Sequence, residues 1–265
     1  MQLHAFLESL EKNAIHLGKI FVLCRSSNDA YMKNYQKVFN QFREVIPVFQ
    51  EEKSAFKDFK DITLKTVFQE ESSSSSYICF AVDDIIIQKK IDFLEIENLL
   101  GESSAYGFFL RLGSNITYCY MENFLSGVPE DLRVFQSNSY IFSFSKAKGD
   151  WCYPNNLDMT VYRKKDIIGP FFSLDYKNPN DLENKWSRVL PPCAYGLCYK
   201  ESKIVNIPLN LVNLSSNRNM NTLDSEKLNK LYTEGLKLDI QPLEKFPTKA
   251  PHVEVNPVFK KNEHQ

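Results

Sequence analysis

Glycine is scarce in this chain: 9 in 265 residues. None of them forms the glycine- and lysine-rich phosphate loop that a nucleotidyltransferase would carry near its amino terminus. No apolar run approaches the ~20 residues of a membrane helix, and the amino terminus lacks a signal-peptide pattern. The expectation is a cytoplasmic protein with no integral membrane segment, membrane-peripheral at most. The formal charge is −1 with no long basic run, which excludes a broad electrostatic footprint for nucleic acid. The six cysteines (24, 79, 119, 152, 193 and 198) form no CxxC and do not cluster with the histidines. A zinc site and a disulfide framework are therefore not expected, and reduced, buried thiols are. The tripeptides NIT at Asn115 and NLS at Asn213 fit glycosylation sequons but mean nothing in a cytosol.

What is present is rings: 20 Phe and 13 Tyr, enough for a ring-rich core or cleft. A chain of this length can bury the full core of one large α/β domain. Leu3, Phe6, Leu7 and Leu10 follow the spacing of an amphipathic helix. KIFVLCR (19–25) reads as a buried strand, and the SSND after it supplies capping residues. Tyr31, Tyr35, Val38, Phe39 and Phe42 then mark a helix, and EVIPVFQ a strand whose Pro47 argues for an edge or a bend. A charged helix with Phe56, Phe59 and Val67 leads into EESSSSS, a flexible connector by composition. This alternation predicts a largely parallel sheet with helices packed on it. The second half has longer strand-like runs (AYGFFLRLG, SYIFSFS, KIVNIPLNLV) and one clear helix, DSEKLNKLYTEG, capped by Asp224 or Ser225 and stopped by Gly235. A single domain over 1–265 follows, with a change of character after about residue 90 and an extended tail at 241–265. The chain opens in a helix where such sheets usually begin with a strand, so either the fold starts unusually or the first strand is missing from this reading frame.

The segment YICFAVDDIII (77–87) places two adjacent carboxylates in a greasy run. Adjacent strand residues point to opposite faces, and burying an unpaired carboxylate costs several kcal/mol. The expected solution is a strand over 77–82 that ends there, with Asp83 and Asp84 emerging at its carboxyl edge, where open parallel sheets bind ligands. Two carboxylates at such a point make a hard-oxygen site for Mg²⁺ or Mn²⁺, completed by phosphates and waters. The alternative is a turn whose aspartates cap backbone amides or pair with lysines.

FAVDDIII resembles the xDD form of the DxD motif of glycosyltransferases with the GT-A fold, especially the family 2-like group. YGFFLRLGSNIT, GDWCYP, LDMTVYR and KIVNIPLN are similar to stretches of bacterial members. The resemblance implies an α/β fold, GT-A-like, an open mixed sheet flanked by helices, with a donor-binding half at 1–90 and an acceptor-side half at 91–240. It implies a metal-dependent, inverting glycosyltransferase of the hexosyltransferase class. The partners would be a nucleotide-sugar donor and a glycan, lipid or protein acceptor, with Mn²⁺ or Mg²⁺ as cofactor. By carry-over Asp84 is a metal ligand and Asp83 a donor contact. Arg25, after KIFVLCR, sits where donor nucleotides lie in that fold. In the region similar to LDMTVYRKKDI, Asp158 and Arg163 fall on the acceptor-side floor of the site. In NPNDLENKW, where Asp181 is expected to cap a helix, Glu183 best matches the catalytic general base, and His252 matches a carboxy-terminal metal ligand.

From the residues themselves, Arg111 and Asn115 in FFLRLGSN could hold phosphate or a sugar hydroxyl; the alternative for Arg111 is a structural ion pair. Trp151 and Tyr153 in GDWCYP could form an acceptor-side platform for a pyranose ring, or Trp151 could be a core residue. Glu183 could equally be a surface glutamate and His252 a solvated histidine. The competing function classes are a non-catalytic carbohydrate- or nucleotide-binding protein derived from a transferase, and a nucleotidyltransferase.

Overall fold

The computed structural model describes residues 1–50, 55–69, 74–136, 138–209 and 223–263, and not the side chains of 55–57. The start of the serine connector, the side chain of Phe56, the end of KIVNIPLNLV, the tripeptide at Asn213 and His264 lie outside the described residues.

The amino-terminal third alternates as its periodicity predicts. Helix α1 (Gln2–Asn13) buries Leu3, Phe6, Leu7 and Leu10. The strand Ile20–Cys24 pairs in parallel with Val45–Phe49, and α2 (Asp29–Gln41) crosses between them. Asn28, from SSND, caps α2 by accepting the N–H groups of Ala30 and Tyr31. Pro47 is tolerated because Val45–Phe49 has, among the described residues, a partner strand on one side only. Helix α3 (Ala55–Phe68) follows.

The main sheet has six strands, in spatial order Arg133–Val134, Ser139–Ser143, Tyr195–Tyr199, Gly107–Phe109, Thr160–Arg163 and Tyr77–Cys79. Its pairs are antiparallel, except that Tyr195–Tyr199 runs parallel to Gly107–Phe109. The molecule is thus a mixed α/β protein with a mixed sheet flanked by helices. The largely parallel sheet expected from alternation is not formed: besides that one contact, parallel pairing is found in the separate amino-terminal pair and in the short ladder of Ala14–Ile15 with Ile91–Asp92. Element order does not dictate pairing: Thr160–Arg163 inserts between two earlier strands and runs against both.

Helix α4 (Phe93–Gly101), α5 (Lys164–Ser173) and α6 (Pro179–Trp186) complete the body. The expected wealth of rings forms a core beneath α6. Trp186 is fully buried, with ring centroids 5.0 Å from Phe171 and 5.1 Å from Tyr162. Such contacts add about 0.5–1.5 kcal/mol each beyond burial and fix α6 against the sheet. Helix α7 (Ser225–Thr233) is capped by Asp224, and Gly235 ends it at φ +84. Beyond it, Leu236–Leu238 pairs with Phe259–Lys261. The tail is not extended throughout, since it also carries the short α8 (Gln241–Glu244). His252 forms a lone parallel bridge with Asn206, on the strand Ile204–Asn206.

Candidate functional site

The strand bearing the aspartates is shorter than expected. It covers Tyr77–Cys79, and Asp83 and Asp84 sit in a turn before a second strand, Ile85–Ile87. That strand is fully buried and pairs with Ile204–Asn206. The carboxylates therefore stand where the chain passes from the edge of the main sheet to a neighbouring two-stranded ladder. The backbone there is anchored by Ile207, whose N–H donates to the Asp84 carbonyl at 2.8 Å.

Asp158, Glu183 and His252 come to the same place by separate routes. Asn156 accepts the Asp158 N–H at 3.1 Å and the Thr160 hydroxyl at 2.9 Å, forming a local turn. Between them Met159 adopts φ +52 while its side chain is buried. A non-glycine residue in that region costs on the order of 1–3 kcal/mol and here re-aims its neighbour. Asp158 Oδ1 accepts from Asn206 Nδ2 at 3.2 Å, and its Oδ2 lies 3.7 Å from His252 Nε2. Glu183 projects from α6, beside the buried Leu182 and Trp186, and its Oε1 accepts the Leu157 N–H at 2.9 Å. The helix start differs from expectation: Asn178 is the cap, and Asp181 reciprocates as the third helical residue by accepting the Lys177 N–H.

The electrostatics follow from crowding like charges in a partly desolvated place. Burial, then Asp83 and Asp158, and to a lesser degree Glu183, push the Asp84 carboxyl up to about 8. Burial and then Asp158 push Glu183 up to about 7, against the hydrogen bond from Leu157 and the more distant Arg111. Asp83 is exposed within a cleft, yet enough protein surrounds it that desolvation raises its carboxyl too. Among the described residues no lysine or arginine forms a salt bridge with Asp83 or Asp84. Asp84 Oδ1 and His252 Nδ1 are enclosed without a hydrogen-bond partner among the described residues. The Met1 ammonium offsets part of the charge on Asp83, yet an orphaned Asp84 oxygen beside mutually repelling acids still suits an added cation. Even so, no group of three His, Cys, Asp or Glu side chains among the described residues is disposed to hold one metal ion.

The cleft has a volume of about 530 Å³, and both Asp83 and Arg25 line it. Tyr153 is half-buried, its ring 5.7 Å from the Arg111 guanidinium, and burial followed by the Glu183 charge raises its phenol to about 12.

Four candidates are turned to structural work. Arg111 is fully buried, bonded to Asp150 Oδ1 at 3.0 Å and to the Asp150 and Tyr153 carbonyls. It is enclosed by the loop it organises, so it has no face for a phosphate. Trp151 is 1% exposed, with its indole N–H on the Ile116 carbonyl and its ring edge-on to Phe142; it offers no stacking platform. Asn115 ties Ser202 to the Thr248 carbonyl. Arg163 caps α4 through the carbonyls of Leu100, Ser103 and Ala105. Sequence reading missed Asn206 and Asn156, which aim Asp158. Asn206, set within the apolar run of KIVNIPLN, was the available signal, the same kind that exposed the aspartates.

No protein-family model matches the chain. Over 154 residues it is 30% identical to the bifunctional glycosyltransferase pgtA of Dictyostelium discoideum; the match covers 55% of this chain and 19% of that protein. The chain thus spans about a fifth of the relative it is similar to.

Proposed function

We propose that this protein is a GT-A-like glycosyltransferase that moves a sugar from a nucleotide donor to a hydroxyl acceptor with inversion. The observation that carries the reading is the meeting of Asp83, Asp84, Asp158 and Glu183, none of which forms a salt bridge with a lysine or arginine among the described residues, Asp84 holding a buried oxygen with no hydrogen-bond partner among them. The partial similarity to a glycosyltransferase points the same way.

The donor set fits Mn²⁺ or Mg²⁺. Such ions are commonly held through one or two carboxylates plus substrate phosphates rather than by an all-protein cage. Asp84 would be the principal ligand, with His252 at its margin. When bound, the ion would supply charge neutralisation for the departing diphosphate. Asp83 and Arg25, both on the cleft wall, would contact the donor.

The remaining chemistry belongs to the chain's own groups. Glu183, raised to about 7, is matched to taking the acceptor's proton near neutral pH. Its Oε1 is held by Leu157, which leaves Oε2 as the basic atom. Asp158, braced by Asn206, keeps Glu183 basic by repulsion and is placed to receive an acceptor hydroxyl. Tyr153 would flank the acceptor. Displacement at the anomeric carbon would pass through an oxocarbenium-like transition state, as in glycoside chemistry.

The test is to incubate the protein with Mn²⁺ and a panel of nucleotide sugars and nucleoside diphosphates. The expected result is thermal stabilisation by one diphosphate only when metal is present, lost in Asp84→Ala, and release of that diphosphate from its sugar in the presence of an acceptor. Stabilisation by none of the panel would reject the reading in favour of a non-catalytic protein.

A further inference from the structure

Lysines gather around the loop that follows α8. The Gln88 side chain clasps that loop, its Nε2 donating to the Leu243 carbonyl at 2.8 Å and to the Phe246 carbonyl at 2.9 Å. Lys89 and Lys90 come directly after Gln88 and are exposed. The N–H groups of Gln88 and Lys89 both donate to the Lys203 carbonyl, which brings Lys200 and Lys203 to the same place. The Asn115 amide bonds both Ser202 and the Thr248 carbonyl, so Lys249 joins them from the tail, and Lys245 sits at the start of the clasped loop. Lys200, Lys245 and Lys249 are all exposed.

The acids nearby are already engaged. Glu201 bonds Lys89, and the charges of Lys89 and then of Lys200 and Lys203 hold its carboxyl below the ordinary value. Glu244 is taken by Lys12 at 2.5 Å, and Glu95, which also acts on Lys203, accepts the Tyr199 hydroxyl at 2.9 Å. Among the described residues Lys90, Lys200, Lys203, Lys245 and Lys249 form no ion pair. The whole chain carries a formal charge of −1, so this place is a local excess of positive charge rather than a sample of the average surface.

Apolar side chains stand among these lysines. Phe246 is 38% exposed, between the exposed Lys245 and Pro247. The Lys249 carbonyl accepts the N–H groups of Thr117 and Tyr118, where the hairpin of Tyr118–Cys119 with Phe124–Leu125 begins. That hairpin carries Leu125, 82% exposed, while its acid, Glu122, acts on Cys119 and Cys152. None of these residues lines the cleft.

We infer that this face docks on an anionic lipid surface. Phe246 and Leu125 enter the headgroup boundary, and Lys89, Lys90, Lys200, Lys245 and Lys249 meet the lipid phosphates and carboxylates. An acidic protein is the poorer partner. A protein interface is built on a closely packed apolar centre, whereas here the apolar groups are parted by long flexible cations, whose stems can lie along a lipid boundary while the heads stay wet. His252 follows Lys249 on the same tail and Asp84 precedes Lys89 on the same ladder, so docking would hold the acidic cluster near the bilayer. The inference does not depend on the proposed transferase activity.

The test is sedimentation of the 265-residue chain with vesicles of phosphatidylcholine alone or with about one-third phosphatidylserine, at low and at near-physiological salt. Partitioning onto the serine vesicles is expected to exceed that onto neutral ones at least about thirtyfold and to fall as salt rises. Lys200→Gln, Lys245→Gln and Lys249→Gln together should lower it at least about thirtyfold, since each lysine at such a surface is worth about fivefold, with the thermal midpoint unchanged. Fluorescence added by Phe246→Trp should shift to the blue on binding and be quenched by bromine-labelled lipid. Binding to neither vesicle, equal binding to both, or undiminished binding by the glutamine variant overturns the proposal. So does tighter binding to polyglutamate than to the serine vesicles, or vesicle binding that leaves the Phe246→Trp emission unquenched.

Discussion

Asp158 and His252 face one another, Oδ2 to Nε2, at 3.7 Å, and Asn206 holds the other carboxylate oxygen at 3.2 Å. The tail therefore reaches the acidic cluster through a side-chain contact as well as through the backbone bridge to Asn206. Replacing His252 by alanine should leave the fold intact and weaken any Mn²⁺-dependent stabilisation by a nucleoside diphosphate. Titration of the thermal midpoint against metal checks it.

Asp84→Asn should separate stability from function. It removes a carboxylate crowded by Asp83, Asp158 and Glu183, so without metal the variant should melt above the wild type near pH 8. Transfer activity should fall at least about a hundredfold. Scanning calorimetry and a diphosphate-release assay on the same preparation read both.

The cluster makes stability depend on pH with a defined sign. Asp84 titrates near 8 and Glu183 near 7 in the folded state, both above their ordinary carboxylate values, and Asp83 is also raised. The folded chain thus binds more protons than the unfolded one between roughly pH 4 and 8. The contribution is full below the unfolded values and is lost as pH rises through 7 and then 8. Urea midpoints without metal should fall across that window, and Asp84→Asn should flatten the slope.

Glu183→Gln keeps an oxygen to accept the Leu157 N–H but cannot take a proton. Its kcat should drop by about 10²–10⁴ with donor affinity unchanged. Initial rates with donor varied, set against diphosphate binding, distinguish this from simple misfolding.

Arg111→Ala should act on folding, not on substrate. It strands Asp150, whose other oxygen is already unpartnered, and removing one member of a buried pair costs about 3–5 kcal/mol. Chemical denaturation should show the loss, while whatever folded protein remains binds nucleoside diphosphate as the wild type does.

The sequence exposed polar residues where an apolar run made them expensive. Asp83 and Asp84 stood out in that way, and Asp158, Glu183 and His252 came from the resemblance; the structure brings all five together. Arg111, Asn115, Trp151 and Arg163 look the same in sequence as ligand-binding groups would. What separates them is the partner each meets across the fold, such as Asp150 for Arg111 or the end of α4 for Arg163. Helix and strand positions were legible because period and caps are local. Strand order was not, because Thr160–Arg163 chooses its neighbours by packing rather than by position in the chain.

Met159 sets two demands on one position. Its left-handed backbone suits glycine, and its enclosed side chain, 2% exposed, suits a long flexible apolar residue. No natural amino acid meets both well, so tolerated variation there should be narrow. An engineer who straightened this kink to gain stability would swing Asp158 away from Asn206 and His252, producing a sturdier protein with its acids pointed elsewhere.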